Sequence, residues 1–313
     1  MATLEELLCQ ALAGDPAVAG NLAKYNLAPA IFEKQAPSDS SPGWGGKNQY
    51  PRIQYAVMYQ DDPERKVSGM ATFDILTLLE GQEGPEDIET GVKGVLDGSF
   101  FETSNLGTIA VRWQRSDAYD QINERGSTVD DRVAGMDVIC DLMAFPGQTV
   151  TTELNPKPDP IAGLIAWTKT LLRNNGAFFI EGAPQAQPIW KPTSAKPAIY
   201  WRFVRQSVHQ ALQAVVWWNV TCACHVIAPQ PADRIPYIRK ITEAVAMAGT
   251  VPLPDGSYML LTGSVAADSN NDPLSVGQIT ITGRYGVIPV AEQAPPLNTI
   301  KFKFKKGGPS NGY

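Results

Sequence analysis

The sequence predicts an α+β protein made of two tandem copies of one unit, each a mostly antiparallel sheet packed by two helices. Three observations predict it: one order of patterns occurs twice, each half opens on an amphipathic helix, and extended runs follow at strand length. Helices segregated from an antiparallel sheet are typical of the α+β class, whereas regular strand–helix alternation would indicate a doubly wound parallel sheet.

Four landmarks of the first half recur in the second half at a nearly constant distance. The offsets are 146 from Ile53 to Ile199, 145 from Phe73 to Trp218, 146 from Pro85 to Pro231 and 143 from Pro146 to Pro289. We infer a duplication from this agreement. The alternative is two unrelated α+β domains that share the same order of elements.

The repeat divides the chain into four parts. They are a first copy at 1–146, a Thr/Pro/Asn-rich linker at 147–159, a diverged second copy at 160–289 and a C-terminal extension at 290–313. Each copy carries one long polar loop, at 35–49 and at 180–196, and such loops on a rigid sheet commonly contact partners. In the extension, the Lys/Phe alternation of Thr299–Phe304 predicts a short edge strand.

The helices are predicted from their start signals and from apolar residues at helical spacing. Thr3 and Glu6 form a capping box before a leucine stripe, and Asp159 can cap the helix that opens the second copy. Weaker stripes predict middle helices at 86–96 and 232–247, where a proline stands at or near each start.

The strands are predicted where polar and apolar residues alternate or an apolar run has strand length. Arg52–Tyr55 and Ile279–Thr282 alternate, which indicates one wet face. Met70–Leu79 and Ala214–Cys224 are apolar runs, and Gly135–Pro146 closes the first copy.

The composition excludes several classes of protein. The net charge of −6 and a pI near 5.1 argue against an electrostatic nucleic-acid binder, although Lys301–Lys306 is a basic cluster. With 27 Gly and 25 Pro among 313 residues the chain falls short of a disordered composition. The longest apolar run, Ala214–Ala228, is too short to span a membrane, so we expect no membrane partner.

The cysteines and the start of the chain indicate the compartment. Cys9, Cys140, Cys222 and Cys224 form neither a disulfide ladder nor a CxxC motif. Without a recognisable signal peptide, we expect a reducing, cytosolic environment.

A search for chemistry in the sequence assigns no catalytic, cofactor-binding or metal-ligating residue. Only His209 and His225 could serve a Ser–His–Asp or Cys–His site. Cys222 and Cys224 share one face of a predicted strand and His225 points to the other, which argues against a metal. We place His209 in a polar loop.

No Gly-rich phosphate loop occurs in the sequence. The acidic pairs are interpreted as solvated charges and helix caps: Asp61–Asp62, Glu86–Asp87 and Asp130–Asp131.

The opening of the chain resembles the tail terminator, or tail completion, proteins of tailed bacteriophages. The resemblance lies in LEELLCQALAGDPAVAGNL (Leu4–Leu22), APAIFEKQAP (Ala28–Pro37) and YPRIQY (Tyr50–Tyr55). The later FDIL at Phe73, the helix start at Pro85 and VICDLM at Val138 fit the same pattern. It covers residues 1–146 directly and reaches 160–289 only through the internal repeat. Members usually hold one copy, so two copies put the subunit count in doubt.

The resemblance implies a structural virion protein of the tail or neck, assembled in the host cytoplasm. Such proteins form a ring at the head-proximal end of the tail tube, stop tube growth and join the tail to the head. The implied partners are the tail tube protein, head–tail connector or neck proteins and the sheath, with DNA passing through the lumen without specific binding. Six chains in a ring are favoured, and three chains with pseudo-sixfold symmetry are the alternative.

Two other functions stay open. One is another tail component, such as a tube, sheath-associated or baseplate protein. The other is a hydrolase or metal enzyme that uses His209 or His225. Because no catalytic set is found, we expect an assembly protein and not an enzyme.

Overall fold

A computed structural model describes residues 2–288, except for 39, 61–67, 80–83, 123–131, 150–156, 183–189 and 264. Two large sheets, each with helices on one face, and one small two-stranded ribbon occur in this part of the chain. The fold is therefore α+β, with a similar unit occurring twice in tandem, as predicted.

The first sheet is built from residues 31–144. Its helices are α1 (Leu4–Gly14), α2 (Pro16–Ala19) and α3 (Pro85–Leu96), and a small ribbon pairs β1 (Lys24–Tyr25) with β2 (Ala28–Pro29). Its strands are β3 (Ile31–Glu33), β4 (Arg52–Tyr59), β5 (Gly69–Leu78), β6 (Phe100–Thr103), β7 (Gly107–Ile122) and β8 (Arg132–Ala144). The strand order is β3-β4-β5-β8-β7-β6.

The second sheet is built from residues 178–287. Its helices are α4 (Pro160–Leu172) and α5 (Pro231–Ala248). Its strands are β9 (Phe178–Ile180), β10 (Ala198–Ala211), β11 (Val216–Ile227), β12 (Thr250–Pro252), β13 (Tyr258–Leu261), β14 (Ala266–Ala267) and β15 (Ile279–Val287). The order β9-β10-β11-β15-β13-β12 repeats that of the first sheet, with β14 added beside β15.

The helix starts follow the signals in the sequence. The Thr3 hydroxyl accepts a hydrogen bond from the Glu6 amide, and the Glu6 carboxylate accepts one from the Thr3 amide. The Asp159 carboxylate accepts bonds from the amides of Ile161 and Ala162. These side chains satisfy amide groups that a first helical turn leaves unpaired, which stabilises each helix at its predicted start.

The structure corrects one of the four pairs of landmark positions. We take Ile53 and Ile199 as equivalent because both face the helices of their own copy, at the second strand of each sheet. The next core positions are then Tyr55 and Trp201, and their partners across the hairpin are Phe73 and Cys224. Pairing Phe73 with Trp218 was therefore wrong, because the second hairpin is five residues longer.

Each copy also has a strand that the sequence did not predict. The short strands β3 and β9 run parallel to β4 and β10, at the start of each sheet order. Three residues are too few for an alternating pattern to appear, so these edge strands carry no signal of their own. The predicted strand at Thr299–Phe304 lies outside the described residues.

Candidate functional site

Three carboxylates form a row across the outer face of the first sheet, opposite the helices. Asp74 on β5 is the register partner of Asp137 on β8, and Asp137 is the partner of Asp117 on β7. The sequence neighbours of Asp74 and Asp137 lie in the core, and Ser116 beside Asp117 donates a hydrogen bond to Glu89 on α3. The alternation of each strand therefore places the three aspartates on the outer face. We call Asp74, Asp137 and Asp117 the acidic row.

Tyr119 lies across the acidic row. Its hydroxyl donates a hydrogen bond to Oδ1 of Asp74 at 2.5 Å. The ring passes over Gly135, where an added Cβ would lie 2.2 Å from the ring. Gly135 therefore leaves the space through which Tyr119 on β7 reaches over β8 to Asp74 on β5.

Burial and mutual repulsion act on these carboxylates. Burial raises the pKa of the Asp74 carboxyl, and the hydrogen bond from Tyr119 acts in the opposite direction. Burial also raises the pKa of Asp137, and the negative charge of Asp117 raises it further. The ionised forms of Asp74 and Asp137 are therefore less stable in the folded chain than the same carboxylates would be in water.

The outer face of the second sheet carries the opposite charge. Two register rows cross its strands β10, β11 and β15, and together with Thr262 they line a groove of about 430 Å³. The rows are Arg205–Thr221–Thr282 and Ser207–Asn219–Arg284. The Nε of Arg284 donates to Oδ1 of Asn219 at 3.2 Å. We call this the arginine groove, and its lining contains no carboxylate among the described residues.

The two surfaces belong to copies of opposite net charge. Residues 1–146 contain 23 acidic and 11 basic residues, a net charge of −12. Residues 160–289 contain 6 acidic and 10 basic residues, a net charge of +4. The mild total of −6 therefore conceals a strong division of charge along the chain.

A third apolar cluster joins the two copies. The Trp190 ring packs 5.2 Å from Phe100 and from Phe145, both in the first copy. The Thr108 hydroxyl donates to the Trp190 carbonyl at 2.9 Å and accepts from its amide at 2.7 Å. The Tyr200 hydroxyl donates to the Pro146 carbonyl. These buried contacts fix the position of one copy against the other.

His225 takes part in this junction. It is 1% exposed, its Nε2 accepts from Nε of Arg202 at 2.8 Å, and its Nδ1 lies 2.8 Å from the Pro273 carbonyl oxygen. Because Nε2 accepts, Nδ1 carries the proton in the neutral ring and donates it to Pro273. Both ring nitrogens are therefore engaged in structural hydrogen bonds.

The two cysteines next to His225 lie on the other face of the sheet. Cys222 and Cys224 are buried in the core beneath α4 and α5, as the strand alternation predicts. Burial raises the pKa of both thiols, which keeps them protonated. Within the described ranges, no group of three or more His, Cys, Asp and Glu side chains could hold a metal ion.

The other predicted positions fall in different places. His209 was placed in a loop, which is wrong: it is exposed within β10, because that strand continues for 14 residues. Glu86 and Asp87 lie in the first turn of α3, where the Asp87 carboxylate accepts from the Gly84 amide. The pairs at 61–62 and 130–131 and the Lys301–Lys306 cluster lie outside the described residues.

The acidic row and the arginine groove were missed by the sequence reasoning. Asp74 and Asp117 lie 43 positions apart, and only strand pairing through Asp137 brings them together. One signal was available for two of the three residues: Asp74 and Asp137 are aspartates inside runs of strand-forming residues. The division of net charge between the two copies was a second signal, because it needs no structure at all.

No protein-family profile matches the chain, and no curated protein matches it. Among solved structures, it is similar to a chain described as "Virion of native gene transfer agent (GTA) particle". The identity is 16%, the TM-score is 0.30, and the match covers 45% of this chain and 93% of that one. None of the described helices is long and apolar enough to cross a membrane.

Proposed function

We propose that this chain is a structural protein of a tailed, phage-like virion, and that it acts as the tail terminator. In this role it forms a ring at the head-proximal end of the tail tube, stops tube growth and provides the surface on which the neck docks. Its partners are then the tail tube protein, the connector or neck proteins and the sheath. DNA passes through the lumen and is not bound specifically.

One observation carries the proposal. Two units of the same strand order are locked together by a buried junction, and their outer sheet faces differ: the first carries a row of three carboxylates, and the second carries a groove lined by two arginines. A rigid body with two different contact surfaces is suited to heterologous contacts, which repeat from subunit to subunit and close a ring. The resemblance of residues 1–146 to tail terminators agrees with this assignment.

We also propose that the chain has no catalytic activity. Both ring nitrogens of His225 are held by structural hydrogen bonds, and the buried thiols of Cys222 and Cys224 have a raised pKa. An enzyme that used His225 would need one of those nitrogens free to move a proton.

The proposal is tested by negative-stain electron microscopy of the purified chain, alone and mixed with tail tubes of the same virion. We expect rings in isolation and one ring on one end of each tube. Long filaments of the chain alone would favour a tube protein instead. Particles that ignore the tubes would overturn the terminator assignment.

A further inference from the structure

The acidic row and the arginine groove both reach an open edge of a sheet. Asp117 lies on β7, whose residues 115–122 pair only with β8 within the described part of the chain. Arg205 lies on β10, where residues 201–211 pair only with β11 over the same described ranges. No helix or strand described in the structure covers these edges.

Within the part of the chain that the structure describes, the acidic row is approached by two arginines of its own copy. Arg115 Nε lies 2.9 Å from Oδ2 of Asp117, and Arg52 acts electrostatically on Asp74. Every charged group that perturbs the pKa of Asp74 or Asp137 belongs to the first copy. The arginine groove of the same molecule therefore does not compensate the row.

The ion pair described between the two copies involves other residues. At the junction, Nε of Arg112 lies 3.8 Å from Oδ2 of Asp272. Neither residue is part of the acidic row or of the groove lining. Among the residues that the structure describes, no ion pair joins the acidic row to the arginine groove.

We propose that the acidic row of one chain docks on the arginine groove of the next copy of the same chain. The inference rests on the proposed ring, because it names the contact that closes that ring. The two surfaces are different, so each contact is heterologous and leaves one free surface at each end until the ring closes. Opposite charges also fix the direction of the contact, since two acidic or two basic surfaces repel.

Charge reversal in the full-length chain tests the contact. Asp117→Arg with Asp137→Arg makes both surfaces basic, and Arg205→Glu with Arg284→Glu makes both acidic. Each variant alone should lose the ring and sediment as a smaller species, with association at least about tenfold weaker. A chain that carries all four changes again has complementary surfaces and should recover the ring. Sedimentation velocity at low and high salt measures both effects, and salt should weaken the wild-type ring.

Mixing the two reversed variants distinguishes a ring of six chains from a ring of three. In the mixture every contact must join one variant to the other, so the ring alternates and closes only with an even number of chains. A closed ring in the mixture therefore indicates six chains, whereas three chains would form only open species. Either outcome requires contact between the two variants and supports the inference.

The controls distinguish a variant that no longer folds from a variant that folds but no longer forms the contact. Arg173→Glu with Arg239→Glu changes the net charge by the same amount. Arg173 directly follows α4, Arg239 lies in α5 and both are exposed, so this variant should leave the ring intact. Circular dichroism and thermal melting show whether each reversed chain folds. If Asp137→Arg unfolds the first copy, Asp117→Arg alone is the acidic-side variant, because its side chain is 58% exposed.

The possible failures are distinguishable. Wild-type rings that survive both reversals overturn this contact and leave the proposed function standing. Rings that respond as expected but never cap a tube support the contact and overturn the terminator role. If groove variants keep their ring but lose retention on duplex DNA, the groove binds phosphate and this inference falls. A wild-type chain that is monomeric at all salt concentrations overturns both proposals.

Discussion

The two copies share an order of strands and differ in which hairpin is long. In the first copy the long strands are β7 and β8, with 16 and 13 residues. In the second copy they are β10 and β11, with 14 and 12 residues, while β13, the counterpart of β7, has only 4. One topology thus extends at opposite edges, which gives a single chain two different open sides.

The copies also differ in what covers the equivalent outer faces. Carboxylates cross the first sheet, and arginines with hydroxyl and amide groups cross the second. The cores are less different, since Tyr55 and Trp201 each bond to the first helix of their copy, at Glu5 and Thr168. The core thus maintains the fold, while the outer sheet faces and the sheet edges can differ in the partners that they contact.

The largest loss of stability is expected at one equivalent core position of the two copies. Phe73 and Cys224 are both fully buried, but the aromatic ring fills far more volume. We expect Phe73→Ala to lower the free energy of unfolding by about 3–5 kcal/mol. Cys224→Ala should cost only about 1 kcal/mol, because little buried surface is lost. Urea denaturation gives the free energies, and hydrogen exchange with mass spectrometry reports which copy loosens. Equal costs would contradict the expectation that the buried volume of the side chain sets the loss of stability at this position.

The next effect concerns the junction between the copies. Trp190→Ala removes the ring that packs against Phe100 and Phe145, and should cost about 3 kcal/mol. Calorimetry should then resolve separate unfolding of the two copies. Trp190→Phe is the matched control: among the described residues the indole N–H has no hydrogen-bond partner, so less than about 1.5 kcal/mol should be lost. A single unchanged transition in Trp190→Ala would show that the two copies still unfold together without the packing of Trp190.

The smallest change in stability is expected from removing one charge of the acidic row. The folded state raises the pKa of Asp137, so ionisation of this group destabilises the folded chain at neutral pH. That destabilisation is relieved as the pH falls through the raised pKa. Asp137→Asn should therefore stabilise the chain at pH 7 by less than about 1 kcal/mol, given partial exposure. It should also reduce the gain in stability on acidification.

Thermal melting between pH 7 and pH 4 measures this difference. Asp117→Asn removes the neighbouring charge and should give a weaker change in the same direction. A lower melting temperature for Asp137→Asn at pH 7 would show that the carboxylate is stabilised by contacts and not strained by its surroundings.

The sequence by itself determined the elements that depend on near neighbours. The capping box at Thr3 and Glu6, the cap at Asp159 and the prolines that open α3 and α5 act within one helical turn. The alternation in β4 and β15 likewise selects the buried face of each strand. The repeat was visible for the same reason, since each copy carries these local signals in the same order.

Tertiary structure decided what depends on the pairing of distant strands. It made Cys224 the counterpart of Phe73, added β3 and β9 at the sheet edges and gathered the acidic row from three strands. It also joined the copies through Trp190, which lies in a loop with no periodic pattern. Strand register is fixed by the packing of the whole core and by the length of each hairpin, and neither is written in the spacing of neighbouring residues.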